Sequence, residues 1–129
     1  ILPEDSHSWL SFEDFQRKVC QAEWYQPGGQ LVAIDVNNDA WAAMSAITRF
    51  ASADFATNLH TGVDRRYHGR GLAQAMLTLA ARYARETLRV GSIRADEDEQ
   101  NAPALAIYRE LGYTHIAGTI SLEKEIAEK

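Results

Sequence analysis

The stretch that most restricts the fold is the junction between residues 55 and 72. Phe55, Thr57, Leu59, Thr61 and Val63 alternate as in a β-strand. The strand runs directly into Arg66-Tyr67-His68-Gly69-Arg70-Gly71, and from Leu72 the apolar residues Leu72, Met76, Leu79 and Tyr83 recur at helical spacing. A strand, a two-glycine turn and a helix in immediate succession predict a loop whose backbone N–H groups turn toward one point. The unpaired amides and positive dipole end of the new helix are added to it. Such a loop holds an anion, and a pyrophosphate suits it, with Arg66 or Arg70 in support. No Gly-Lys-Ser/Thr follows, so it is not a Walker loop, and two glycines do not make a dinucleotide fingerprint.

The rest of the chain supplies the partners such a junction needs. Trp9, Phe12, Phe15, Val19 and Cys20 space out one amphipathic helix over residues 8–24, with Ser11 and Asp14 placed as a capping box. Leu31 to Val36 alternates as a strand, Asn37-Asn38-Asp39 is turn chemistry, and Trp41 to Phe50 completes a hairpin, with a helix as its rival because of the alanines. The helix from Leu72 runs to about Leu88 and is closed by Gly91. Ser92 to Ala95 is extended, and Asp96-Glu97-Asp98-Glu99 reads as a solvated loop. Asn101-Ala102-Pro103 starts a helix that Gly112 ends, and Tyr113 to Leu122 reads as one or two strands.

Composition narrows the partners. The chain has 129 residues, enough for a single domain over residues 1–129, and its formal net charge of -5 gives no footprint for nucleic acid. One cysteine, Cys20, and four scattered histidines offer neither a disulfide nor a close-spaced metal pair, so no metal is expected. No apolar run reaches the ~20 residues of a membrane span, and the chain reads as soluble and cytoplasmic. Cys20 reads as a small core residue, and His60 as a packed or surface imidazole with a base as the alternative.

The second constellation is Asn101-Ala-Pro-Ala-Leu-Ala-Ile-Tyr108-Arg-Glu-Leu-Gly112-Tyr113. With Val63 to Ala73, which fits (Gln/Arg)-x-x-Gly-x-(Gly/Ala), it makes the chain resemble the GCN5-related N-acetyltransferases, whose N-x-x-A-x-x-x-Y-x-x-x-G-(F/Y) segment it matches in order and spacing. The resemblance covers about Leu31 to Leu122 in element order. It implies an α+β or α/β fold with a mixed, mostly antiparallel sheet flanked by helices, and a splayed parallel strand pair that binds acetyl-CoA. It implies pairing of the Thr61 and Val63 backbone with the pantetheine arm, and the pyrophosphate on His68, Gly69, Arg70, Gly71, Leu72 and Ala73, with Arg66 nearby. Asn101 would bond the cofactor arm or cap its helix, and the Tyr108 hydroxyl would approach the CoA sulfur. Asp96 stands where some members keep a glutamate base. Amine attack on a thioester needs fixed donors near the carbonyl oxygen and an acid near the departing sulfur; a tyrosine that serves only the core is the alternative for Tyr108.

The function implied is transfer of acetyl from acetyl-CoA to a primary amine of a small molecule or peptide, by direct attack in a ternary complex. The alternative is a non-catalytic lobe of the same fold that serves CoA binding or protein interaction. The strand and helix with which family members begin have no counterpart ahead of residue 8. A trimmed chain, one half of a tandem protein, or a strand supplied by a second copy, and so a homodimer, would each account for it.

Overall fold

The structure, a computed structural model, describes residues 11–126. Four strands form one sheet in the order β1-β2-β3-β4: β1 (Gln30–Asp35), β2 (Ala40–Thr48), β3 (Ala56–Val63) and β4 (Ile93–Ala95). β1 pairs with β2 and β2 with β3 antiparallel, whereas β4 pairs parallel with β3. The mixed, mostly antiparallel sheet with one parallel pair is the expected architecture.

The β1–β2 hairpin turns through Asn37-Asn38-Asp39, with Asp39 at φ 57° and its N–H donating to the Asp35 carbonyl. The run from Ala40 is therefore a strand despite its alanines. Both antiparallel ladders carry one extra residue. Ala33 faces Ala43 but Ile34 faces Trp41, which leaves Ala42 over; Ala46 faces His60 but Ile47 faces Asn58, which leaves Leu59 over. Each bulge reverses the alternation beyond it. As a consequence Asn58 and Thr61, three positions apart, are both buried and hydrogen-bonded to each other.

Helix α2 (Leu72–Tyr83) lies against the sheet with Met76, Leu77 and Ala80 buried, and Ile47, Ala56, Ala80, Ala84 and Leu88 form the main core cluster. Small residues on the helix let it lie close to the sheet. After Tyr83 the helix widens into a π-helical turn (Ala84–Leu88), and Arg89 in the left-handed region (φ 61°) ends it. Gly91 is not the stop, because Val90 already bonds back to the Ala84 carbonyl. Helix α3 (Ala102–Glu110) starts at Asn101, whose side chain accepts from the Ala104 N–H at 3.3 Å, and Gly112 (φ 88°) ends it.

Two expectations need correction. Of the amphipathic helix over 8–24, residues 8–10 lie outside the described residues. The described part is a short helix α1 (Phe12–Phe15), capped by Ser11 as expected, then one π-helical turn (Gln16–Cys20). Residues 113–122 form no strand: past Tyr113 they lie along no described neighbour strand, and Ile116, Ile120 and Leu122 are exposed. An alternating pattern makes a strand only where a ladder partner satisfies its backbone.

Candidate functional site

β3 and β4 share only three register pairs, Ala56 with Ile93, Thr57 with Arg94 and Asn58 with Ala95. Beyond Asn58, β3 continues through Val63 while β4 ends at Ala95. Residues 59–63, about 16 Å of strand at 3.3 Å per residue, therefore have no described strand beside them on that side. Where the strands part, β2 and β3 share a closed ring of hydrogen bonds. Asn58 Nδ2 donates to Ser45 Oγ at 3.1 Å, Thr61 Oγ1 donates to Asn58 Oδ1 at 3.1 Å, and Ser45 and Thr61 hydroxyls lie 2.9 Å apart. All three residues are buried, so the ring is fully desolvated and fixes β3 against β2 at the point where β4 leaves it.

The wedge opens into a cleft of about 1130 Å³ lined on one side by Val63, Tyr67, His68, Gly69, Gly71, Leu72 and Ala73, and on the other by Asn101, Pro103, Ala104 and Ile107. Gly69 (φ 76°) and Gly71 (φ 75°) both take left-handed backbone, and a Cβ at either would meet no atom within 4 Å. The glycines are thus required by backbone angle and not by crowding within the protein. Gly71 is the N-cap of α2 and supplies no side-chain cap, which leaves the first-turn N–H groups of Leu72, Ala73 and Gln74 directed at the cleft they line.

The loop is braced from below. Asp64 accepts from the Arg66 N–H at 2.9 Å and from Arg66 Nε at 3.0 Å; these bonds hold its carboxyl below the usual carboxylate range. Arg66 is thereby folded back onto its own turn, and its pKa is raised by the same pairing. His68 Nε2 lies 3.0 Å from the Val63 carbonyl. Tyr67 is buried, and its hydroxyl donates to Asp35 Oδ2 at 2.8 Å.

The sequence-derived site residues divide accordingly. Val63, His68, Gly69, Gly71, Leu72, Ala73 and Asn101 come together on the cleft; Arg70 stands between two of its lining glycines, Arg66 is paired with Asp64, and Tyr108 and Asp96 are not among the lining residues. Thr61 spends its side chain in the buried ring, which leaves its backbone for any ligand. Asn101 caps α3 and its Nδ2 donates to Glu97 at 3.4 Å. Tyr108 is only 6% exposed, packs with Leu77, Ala104 and, edge-on at 5.0 Å between centroids, Tyr113. Burial, with the nearby Glu97 charge and Tyr113 adding to it, pushes the Tyr108 phenol up from its ordinary value near 10 to about 12. Asp96 is exposed at the end of β4, and it is Glu97, the next residue, that reaches back to Asn101. His60 is half-buried with Nε2 unpartnered, and burial lowers its pKa. Sequence reasoning missed Trp41 and Met44, which line the cleft from β2 because the Ala42 bulge turns Trp41 onto the face that carries Met44. Among the described residues no group of three metal-ligating side chains gathers, and no helix is long and apolar enough to cross a membrane.

The chain matches the Acetyltransferase (GNAT) family over residues 2–113, and it belongs to that family. Among curated proteins no relative matches its sequence. Among solved structures it resembles the BH1408 protein from Bacillus halodurans (22% identity, TM-score 0.70, 90% of this chain and 75% of that one). It also resembles the aminoglycoside 6'-N-acetyltransferase AAC(6')-IG from Acinetobacter haemolyticus (15% identity, TM-score 0.62, 89% and 80%). A third is AAC(6')-Iy in complex with a bisubstrate analog, CoA-S-monomethyl-acetylneamine (13% identity, TM-score 0.62, 85% and 76%). At these identities the likeness is one of fold.

Proposed function

We propose that the chain is an N-acetyltransferase that carries acetyl from acetyl-CoA to a primary amine on a small molecule or peptide, by direct attack in a ternary complex. The observation that carries this reading is the edge of β3 over residues 59–63, which has no described strand beside it and whose last two residues, Gly62 and Val63, share one cleft with the glycine loop. An extended pantetheine arm can take the place of the missing strand, with the pyrophosphate on the amides from His68 to Ala73. One fold relative is an aminoglycoside 6'-N-acetyltransferase and another is held with a CoA-based bisubstrate analog, which supports a CoA-type donor and an amine acceptor.

The amine nitrogen attacks the thioester carbonyl, the C–S bond breaks, and the departing sulfur takes the Tyr108 proton, which solvent restores. The proton lost by the attacking nitrogen passes to solvent through Asp96, exposed at the end of β4. A phenol held near 12 stays protonated throughout the neutral range, as an acid must. Release of CoA thiol from acetyl-CoA, followed across a panel of aminoglycosides, polyamines and peptide N-termini, tests the reading. Amine-dependent release by at least one class is expected, and tight acetyl-CoA binding without turnover on any of them would favour a non-catalytic lobe.

A further inference from the structure

We propose that Asp35 and Tyr67 are positioning residues that hold Arg70 over the Tyr67 ring, between the two glycines that line the cleft, for the phosphates of the donor, so that this tie sets the preference for a phosphate-bearing thioester. The inference rests on the acetyl-CoA reading above and adds residues to it from an element, β1, that the glycine loop does not touch in sequence.

The geometry begins with Asp35, the last residue of β1. One carboxylate oxygen, Oδ1, accepts from the Asn37 N–H at 2.9 Å, and the other, Oδ2, accepts from the Tyr67 hydroxyl at 2.8 Å. Both oxygens are thus engaged by donors. The Asn37 N–H first, then the Tyr67 hydroxyl, hold its carboxyl below the usual range, so it is ionised at neutral pH. Tyr67 is buried below a loop whose other members are mostly exposed, and it is fixed at both ends of its side chain: by its backbone N–H to the Asp64 carbonyl at 2.8 Å and by its hydroxyl to Asp35.

The Tyr67 ring is flanked by two guanidinium groups, Arg66 at 5.7 Å and Arg70 at 5.3 Å from its centroid. They differ in what else holds them. Arg66 is paired with Asp64 at 3.0 Å, so its charge is already answered. Among the described residues Arg70 forms no ion pair; its contacts are the Tyr67 ring and the field of Asp35. A cation seated on an aromatic face, between two glycines that open their amides to the cleft, is placed to meet a dianionic ligand without first breaking a salt bridge. Asp35 acts at one remove, through Tyr67, and touches no ligand itself.

The test is a set of four single variants and one double, with acetyl-CoA affinity read by calorimetry and affinity for pantetheine, which carries no phosphate, read by ligand-observed NMR. Tyr67→Phe keeps the ring and cuts the tie to Asp35, and Asp35→Ala cuts it from the other side. Each should weaken acetyl-CoA roughly tenfold, the scale of one hydrogen bond to a charged group, and leave pantetheine affinity within twofold. Asp35→Asn should restore acetyl-CoA affinity to within about twofold of wild type, because the amide can accept from Asn37 and donate to the phenol oxygen. Arg70→Ala should weaken acetyl-CoA by a similar factor, and adding Tyr67→Phe to it should cost little more. Failure of the wild-type protein to bind acetyl-CoA would sink the underlying functional reading. A wild type that binds while Tyr67→Phe and Arg70→Ala bind equally well would overturn the positioning role alone. Equal losses for acetyl-CoA and pantetheine would also overturn it, by showing that the tie merely supports the fold.

Discussion

At the loop end of the cleft the chain offers backbone, whereas around α3 it offers side chains, Asn101 on the cleft wall and Tyr108 in the packed cluster next to Ala104 rather than among the lining residues. Gly69, Gly71 and the first turn of α2 present N–H groups whose directions are set by backbone angles, with open space around each glycine. Asn101 and Tyr108 instead depend on single functional groups, one capping a helix and one buried in a cluster with Leu77 and Ala104. An anion site made of backbone tolerates changes in the side chains that surround it but not a Cβ at its centre. A proton donor made of one phenol tolerates no change of that atom. The comparison teaches where substitutions should separate binding from chemistry.

The largest effect is expected at the side-chain end. Tyr108→Phe removes only the hydroxyl, and general acid catalysis is worth about 10²–10⁴ in rate, so kcat should fall at least about a hundredfold in a thiol-release assay with acetyl-CoA affinity nearly unchanged. Turnover within a few-fold of wild type would make Tyr108 a packing residue. Next comes the loop. Gly69→Val places a β-branched residue at φ 76° where its Cβ meets no atom within 4 Å, so the folded protein carries mainly backbone strain of roughly 1–2 kcal/mol. Calorimetry should nonetheless show acetyl-CoA affinity lowered by about tenfold or more, because the side chain fills the approach to the amides.

Smaller effects sharpen the contrast. The pKa of the Tyr108 phenol is raised in the folded state from near 10 to about 12, so the protonated phenol contributes stability that is complete below pH 10 and is lost as pH rises through 12. Denaturant titrations across that interval should show a shallower alkaline loss for Tyr108→Phe than for wild type. Asn101→Ala should lower stability by about 1 kcal/mol through loss of the α3 cap, with a modest change in acetyl-CoA affinity. Asp96→Asn, at an exposed site, should slow turnover only a few-fold; a hundredfold loss would make Asp96 an essential base.

How much of this was legible follows from the range of the interactions. The glycine loop and the α3 cap are local: their residues stand within a few positions of one another, and the signals Arg66 to Gly71 and Asn101 to Pro103 placed both elements. The wedge itself is not local, since it depends on β4 being only three residues long while β3 runs on. Alternation over Phe55 to Val63 hid the Leu59 bulge, because an added residue leaves the composition of a strand unchanged while reversing its faces. The same blindness hid Trp41. The tie from Asp35 to Tyr67 spans 32 positions, and in sequence Asp35 looks like the start of a turn and nothing more. Over 113–122 the error ran the other way: Ile116, Ile120 and Leu122 carry a strand pattern, but no described strand lies alongside to pair with it.

Amide hydrogen exchange with and without saturating acetyl-CoA tests the account most directly, because it reads the backbone at both halves of the proposed donor site in one experiment. The account predicts slowed exchange confined to residues 59–63, where a pantetheine arm would complete the parted sheet, and to residues 68–74, where amides would hold the pyrophosphate. Residues 113–126 should be unchanged. Acetyl-CoA that binds yet leaves both segments exchanging as in the free protein, or that protects a different face of the sheet, would contradict the wedge as the donor site.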